Sequence, residues 1–328
     1  MPASRNVGRR AGYAAAIAGG LAALALTNHL MARKAEARHP PRGRFVTVGG
    51  VRLHYLEAGE GPAVVLVHGV GVMAEDFALS GLLESQARNG RVIAFDRPGY
   101  GYSERPRGRS FTARDQARLL LDAMTALGVE RAFVVGHSWG TFVAAHMALF
   151  APDRVTGLAL VSGYYRPTPR LDSVALAGPG LPVVGDVQRF TFAPPTARLL
   201  TPAILKHLFA PAPVAGRFRR EFPIPLTLRP SQLRASAADS GRMVPEAKVL
   251  QHLLPGLATP TLVMAGAGDR LIDPAHQSQW AALQAPDATY VSLPGAGHMA
   301  HYSADLRLQA EIQGFRARVD AGRTLSAA

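Results

Sequence analysis

Gly136-His137-Ser138-Trp139-Gly140 sets one serine between two glycines, after an apolar run and before a run with helical spacing. A turn that tight lifts a serine hydroxyl clear of the backbone and puts a helix N-terminus beneath it. The hydroxyl is a weak nucleophile until a base takes its proton, and the base needs an acid to orient it. Two later segments offer both. Asp269 closes Ala265-Gly266-Ala267-Gly268-Asp269, and His298 lies in Gly295-Ala296-Gly297-His298-Met299; each follows a run that reads as a strand. Ser138, Asp269 and His298 are therefore the candidate catalytic residues. A developing negative charge needs two backbone N–H groups. Trp139 offers one, next to the serine, and Val70, in His68-Gly69-Val70-Gly71, offers the other.

Competing residues have plainer readings. Asp273 stands four residues after Asp269 and directly before Pro274, where an N-cap role fits better than a catalytic one. His137 adjoins the serine, but the turn should aim it away. His68 is expected to brace its own loop, His301 to be hydrogen-bonded or exposed, and Asp96 to hold a turn. The histidines show no clustered metal-ligand spacing, so no metal is expected. Gly99-Tyr100-Gly101 is too short for a phosphate loop, and no cofactor is implied. The chain has no cysteine, which removes disulfides, Cys-ligated zinc and thiol nucleophiles together.

The elements that must position these residues alternate along the chain. Phe45–Val48 and Val51–Leu56 read as a hairpin joined by Gly49-Gly50. Continuous apolar runs follow at Ala63–Val67, Val92–Phe95, Ala132–Val135, Leu158–Val161, Thr261–Ala265 and Thr289–Leu293, as suits strands covered on both faces. Helical patterns lie between or after them at Thr112–Leu127, Ser138–Phe150 and Leu306–Val319, the first with Thr112 as N-cap and Gly128 as its stop. This order implies a mostly parallel α/β sheet with an antiparallel start. From about Tyr164 to Pro255 the alternation breaks. That stretch is proline-rich, with short helical candidates at Pro202–Phe209, Arg217–Glu221 and Ser231–Ala238, and it reads as a cap over the site.

His68-Gly69, Asp96-Arg97-Pro98-Gly99-Tyr100-Gly101-Tyr102-Ser103, Gly136–Gly140, Gly266–Asp269 and Gly297-His298, in that order, resemble the α/β-hydrolase superfamily over roughly residues 45–320. The resemblance implies a mostly parallel eight-stranded sheet flanked by helices, with a helical cap inserted after the sixth strand. The cap position is similar to that of haloalkane dehalogenases, epoxide hydrolases, cofactor-free haloperoxidases and small-ester hydrolases. Dehalogenases and epoxide hydrolases carry aspartate where Ser138 stands, and epoxide opening is expected to use cap tyrosines, whereas Tyr164 and Tyr165 lie only at the cap's start. Carbon–carbon bond hydrolases typically have asparagine in place of His137. The expectation is therefore a carboxylic-ester hydrolase, with a small hydrophobic ester as its partner. Carbon–carbon hydrolysis or perhydrolysis by the same triad is the alternative, and a ligand-binding receptor on this fold is the alternative of another class. Phe190, Phe192, Phe209, Phe218 and Phe222 would line an apolar pocket or form the cap's own core.

The 328 residues, 48% of them apolar, are enough for one large α/β domain plus an insertion. The reading divides them into a leader at 1–44, core at 45–163, cap at 164–255 and core at 256–328. Of the formal charge of +13, residues 1–44 supply +7. No basic patch with interleaved aromatics marks the rest, so nucleic acid is not an expected partner. Within the leader no charge falls between Arg10 and Arg33, and Ala14–Leu26 is Ala/Leu-rich. An uncleaved membrane anchor fits this stretch best. The alternative is export with cleavage at Ala35-Glu36-Ala37, although that site lies well past the apolar run. A helix packed on the domain is the third reading, which the flanking arginines disfavour. His39–Gly43 would form a stiff linker. Oligomeric state is not legible.

Overall fold

Ala63–Val67 forms a strand whose last four side chains have no exposed surface, because helices cover both of its faces. The computed structural model describes residues 3–170, 173 and 176–326. Eight strands make one sheet: β1 (Arg44–Val48), β2 (Val51–Ala58), β3 (Ala63–Val67), β4 (Arg91–Phe95), β5 (Ala132–His137), β6 (Val155–Val161), β7 (Thr261–Gly266) and β8 (Ala288–Leu293). Their order is β1-β2-β4-β3-β5-β6-β7-β8. The first two pairings are antiparallel and the others parallel, as expected from the hairpin followed by apolar runs.

Helices Ala113–Ala126 and Gly140–Phe150 pack one face of the sheet through Leu119, Leu120, Phe142 and Val143. Leu82–Ala87 and Asp305–Ser326 pack the other through Leu82, Leu308, Ile312 and Phe315. Thr112 caps its helix in a reciprocal pair: its hydroxyl accepts from Asp115 N–H at 3.1 Å, and the Asp115 carboxylate accepts from Thr112 N–H at 2.9 Å.

Between β6 and β7 the chain forms a helical insert comprising Val184–Phe190, Ala193–Phe209, Gly216–Glu221, Ile224–Thr227 and Pro230–Leu253. Its last helix runs 24 residues, well beyond the expected Ser231–Ala238. Phe209, Phe218 and Phe222 are buried together against Val72, Met73 and Leu79 of the core and Ala35 of the leader, while Phe190 and Phe192 are exposed. The leader is one helix, Ala3–Arg38, and the segment from Gly12 onward is long and apolar enough to cross a membrane. Its last turns are also seated on the protein, which the charge pattern did not foretell. Asn28 Nδ2 donates to the carbonyls of Phe190 (2.9 Å) and Thr191 (2.7 Å), Ala35 is buried, and Glu36 pairs with Arg229 at 3.0 Å.

Candidate active site

β5 ends on the tight turn that the glycine spacing requires. Ser138 has φ +52°, and its backbone is fixed by N–H donation to Val161 O (2.8 Å) and by Thr141 Oγ1 on its own carbonyl (2.7 Å). A side chain at position 140 could not exist here, because a Cβ would overlap the Val67 carbonyl oxygen. The loop after β7 delivers Asp269, and the loop after β8 delivers His298. The three meet: Ser138 Oγ lies 2.9 Å from His298 Nε2, and His298 Nδ1 lies 2.8 Å from Asp269 Oδ2. Asp269 Oδ1 also accepts from the N–H groups of Leu271 (2.9 Å) and Ile272 (3.0 Å), so the carboxylate is held in one orientation. A carboxylate fixed on Nδ1 leaves Nε2 free to take the serine proton.

Val70 lies in the loop after β3, and Trp139 follows the serine at the start of the Gly140–Phe150 helix. Neither backbone N–H has an acceptor among the described residues. A tight contact stands between the two: a Cβ on Gly69 would come within 2.9 Å of Ser138 Cβ.

The competing residues are placed as structural. Asp273 accepts from His276 N–H at 2.9 Å and stays exposed. His68 donates from Nδ1 to Gly69 O (2.8 Å) and accepts Arg97 N–H on Nε2 (3.0 Å). Burial and the adjacent Arg97 push its pKa down to about 3, so it braces the Val70 loop as a neutral ring. Asp96 takes Ala74 N–H (2.8 Å), Tyr102 N–H (2.9 Å) and His54 Nδ1 (2.7 Å). His137 points away from the serine hydroxyl and donates from Nε2 to the His298 carbonyl at 3.0 Å.

Two groupings escaped the sequence. Arg97 is fully buried and donates to the carbonyls of His68 (2.7 Å) and Gly69 (2.9 Å), and to Asp239 of the insert (2.6 Å). Asp239 also receives Arg105 (3.0 Å) and Tyr100 (3.0 Å), and its carbonyl holds the Trp139 indole N–H at 3.0 Å. Asp239 stands a hundred or more residues from each of these partners, and only the Asp96–Ser103 motif hinted at Arg97. Second, Asp76, His137 and His301 converge with ligand-type atoms within 4.8 Å, although no sequence spacing links them. His301 Nε2 (2.8 Å) and the Tyr302 hydroxyl (3.0 Å) occupy the Asp76 carboxylate, and the cluster supports the His298 backbone through His137.

The sequence pattern of the alpha/beta hydrolase fold family matches residues 62–305, from β3 to just beyond His298. The chain belongs to the α/β-hydrolase family. One relative, epoxide hydrolase 3 of Siraitia grosvenorii, is 34% identical over 123 residues, which are 37% of this chain and 39% of that protein. The match thus spans well under half of that relative's length. Haloalkane dehalogenase 2 of Mycobacterium tuberculosis is 27% identical over 284 residues, covering 84% of this chain and 94% of that protein. Among solved structures, a membrane phospholipase A described as a bacterial virulence factor superposes with TM-score 0.65 at 21% identity. That superposition covers 97% of this α/β hydrolase and 99% of the other chain, so it extends into the leader helix.

Proposed function

We propose that this α/β hydrolase cleaves carboxylic esters by acyl transfer to Ser138. The observation that carries the reading is the continuous relay from Asp269 through His298 to a serine, where dehalogenation and epoxide opening would need an aspartate. His298 Nε2 takes the Ser138 proton as Oγ attacks the carbonyl carbon. The oxyanion gains the N–H groups of Val70 and Trp139, and the alkoxide leaves with the proton held by His298. Water, deprotonated by the same Nε2, then releases the acid and restores the serine. The helical insert roofs the site and selects small hydrophobic esters.

The leader acts as an uncleaved membrane anchor. Cleavage at Ala35-Glu36-Ala37 would discard the Asn28 contacts and cut through a turn in which Ala35 is buried and Glu36 is paired, which favours retention.

The test is turnover of p-nitrophenyl esters of increasing chain length by the full chain, with a fluorophosphonate probe mapped by peptide mass. Release of nitrophenol and labelling at Ser138 are expected, and the best chain length sizes the pocket. Absence of both would remove the reading and leave a ligand-binding receptor; cleavage of a vinylogous diketo acid without ester turnover would replace it with carbon–carbon hydrolysis. Gly69→Ala probes the oxyanion side. With its new methyl 2.9 Å from Ser138 Cβ, it should displace the Val70 N–H and lower kcat roughly 10²–10³-fold, the cost of one lost oxyanion donor. A KM effect at constant kcat would argue against Val70.

A further inference from the structure

From residue 181 to 197 of the insert, every exposed side chain except that of Thr196 is apolar. Val183, Val184, Val187 and Phe190 follow helical spacing along one stripe, and Phe192 and Leu199 continue it onto the next helix. Val183 is 75% exposed and Leu199 79%, and it is their place in one apolar stripe, not their exposure singly, that marks an interaction surface. Asp186 pairs with Arg189 and Arg107, while Arg198, the one exposed charge of the face, lies at the seam with the leader, 3.5 Å from Met31 Sδ.

The leader fixes what this stripe faces. Asn28 is bonded to Phe190 and Thr191, and Leu21 and Ala25, earlier on the same helix face, are also partly covered. At about 1.5 Å rise per residue, Leu21 to Asn28 spans about 10 Å of helix axis. Those turns belong to the apolar segment that is long enough to cross a membrane. The helix Val184–Phe190 thus stands beside the leader at the height of its apolar turns.

We propose that the Val183–Leu199 face of the insert is embedded in the lipid bilayer next to the leader helix. The site then draws lipophilic esters from the lipid phase. Ala193–Phe209 runs from this face to the His298 loop, where Leu208 O accepts Met299 N–H (3.3 Å) and Ala210 abuts Gly297. The docking half of the proposal rests on Gly12–Arg38 lying in the membrane, and the substrate half on the ester-hydrolase reading.

The absence of cysteine makes the test direct. Single cysteines replace Val183, Leu199, Leu24 or Leu306 in the full chain. Each variant is spin-labelled and reconstituted at one protein per nanodisc, and its collision with oxygen and with a water-soluble nickel chelate is measured. Leu24 is the membrane reference, and Leu306, 78% exposed between Asp305 and Arg307, is the aqueous one. Labels at positions 183 and 199 are expected to match position 24, rich in oxygen and poor in nickel collisions. A match to position 306 overturns the proposal, and so does shielding from both reagents, which would mean that protein covers the face. In parallel, Val183→Asp with Leu199→Asp should slow hydrolysis of a nanodisc-partitioned p-nitrophenyl octanoate roughly tenfold or more, because membrane docking scales with buried apolar area. Turnover of a soluble p-nitrophenyl ester should be unchanged. Equal loss on both substrates overturns the substrate half. No turnover of either by the parent chain removes the ester reading and leaves the depth measurement standing.

Discussion

Ser138→Ala should lower kcat on a short p-nitrophenyl ester by roughly 10⁴–10⁶-fold, and adding His298→Ala should cost almost nothing more. The two residues act as one unit: the hydroxyl is reactive only when Nε2, 2.9 Å away, takes its proton, and the base has no task without the hydroxyl. Asp269→Asn keeps the shape but offers Nδ1 a poorer acceptor, with an expected loss near 10⁴-fold. Thermal unfolding of each variant separates chemistry from folding, which matters most for the histidine, whose ring is buried against Asp269. Losses that multiply in the double variant would mean that the residues work independently, and the acyl-transfer reading would fail.

Asp239→Ala is the substitution with the largest expected effect on stability. Its carboxylate is fully buried against Arg97 and Arg105. Removing it strands the buried Arg97 charge, and breaking such a pair from one side costs about 3–5 kcal/mol. Desolvation pushes the Asp239 carboxyl upward, but Arg105 and Arg97 outweigh it and hold the group below the ordinary aspartate range. The folded pKa is therefore lower than the unfolded one. The stabilisation is complete above the unfolded value and is lost as pH falls through the folded value, on the acid side of about 4. Urea unfolding from pH 7 down to pH 2 should show that limb in the parent and a shallower one in Asp239→Asn. Identical slopes would mean that the pair does not drive acid unfolding.

How legible each part was depends on how local its cause is. β3, β5 and β7 read directly from sequence because strands covered on both faces must be apolar at every position. The helix after Thr112 announced its start through that N-cap residue alone, and the fold adds the reciprocal Asp115 bond. Helices of five or six residues, such as Glu75–Leu79 and Leu82–Ala87, complete too few turns for a periodic signal. The helix Pro230–Leu253 was foreshortened for another reason. It carries Gly241 and Pro245, and it buries Gln232, Asp239 and Glu246 against the core, so it lacks an apolar stripe. The candidate triad was legible because each member sits in a glycine-rich turn after a strand. Its supports were not: Arg97 with Asp239, and Asp76 with His301, are complementary only once the chain is folded, and each alone looks like a surface charge.

The insert is fastened unequally at its two ends. Pro230–Leu253 is bolted to the core by Asp239, by Gln232 on Gly101 N–H (3.0 Å) and by Glu246 on Ala113 N–H (3.1 Å). Val184–Phe209 is joined more lightly, by Asn28 of the leader, by the pair of Asp186 with Arg107 of the core, and by Leu208 O on Met299 N–H. The Val70 side of the candidate site therefore has the heavier mount and the His298 side the lighter one. Because Asn28 holds the Phe190 end while Glu36 holds Arg229 at the foot of Pro230–Leu253, the leader is a strut shared by both mounts rather than a lever on one.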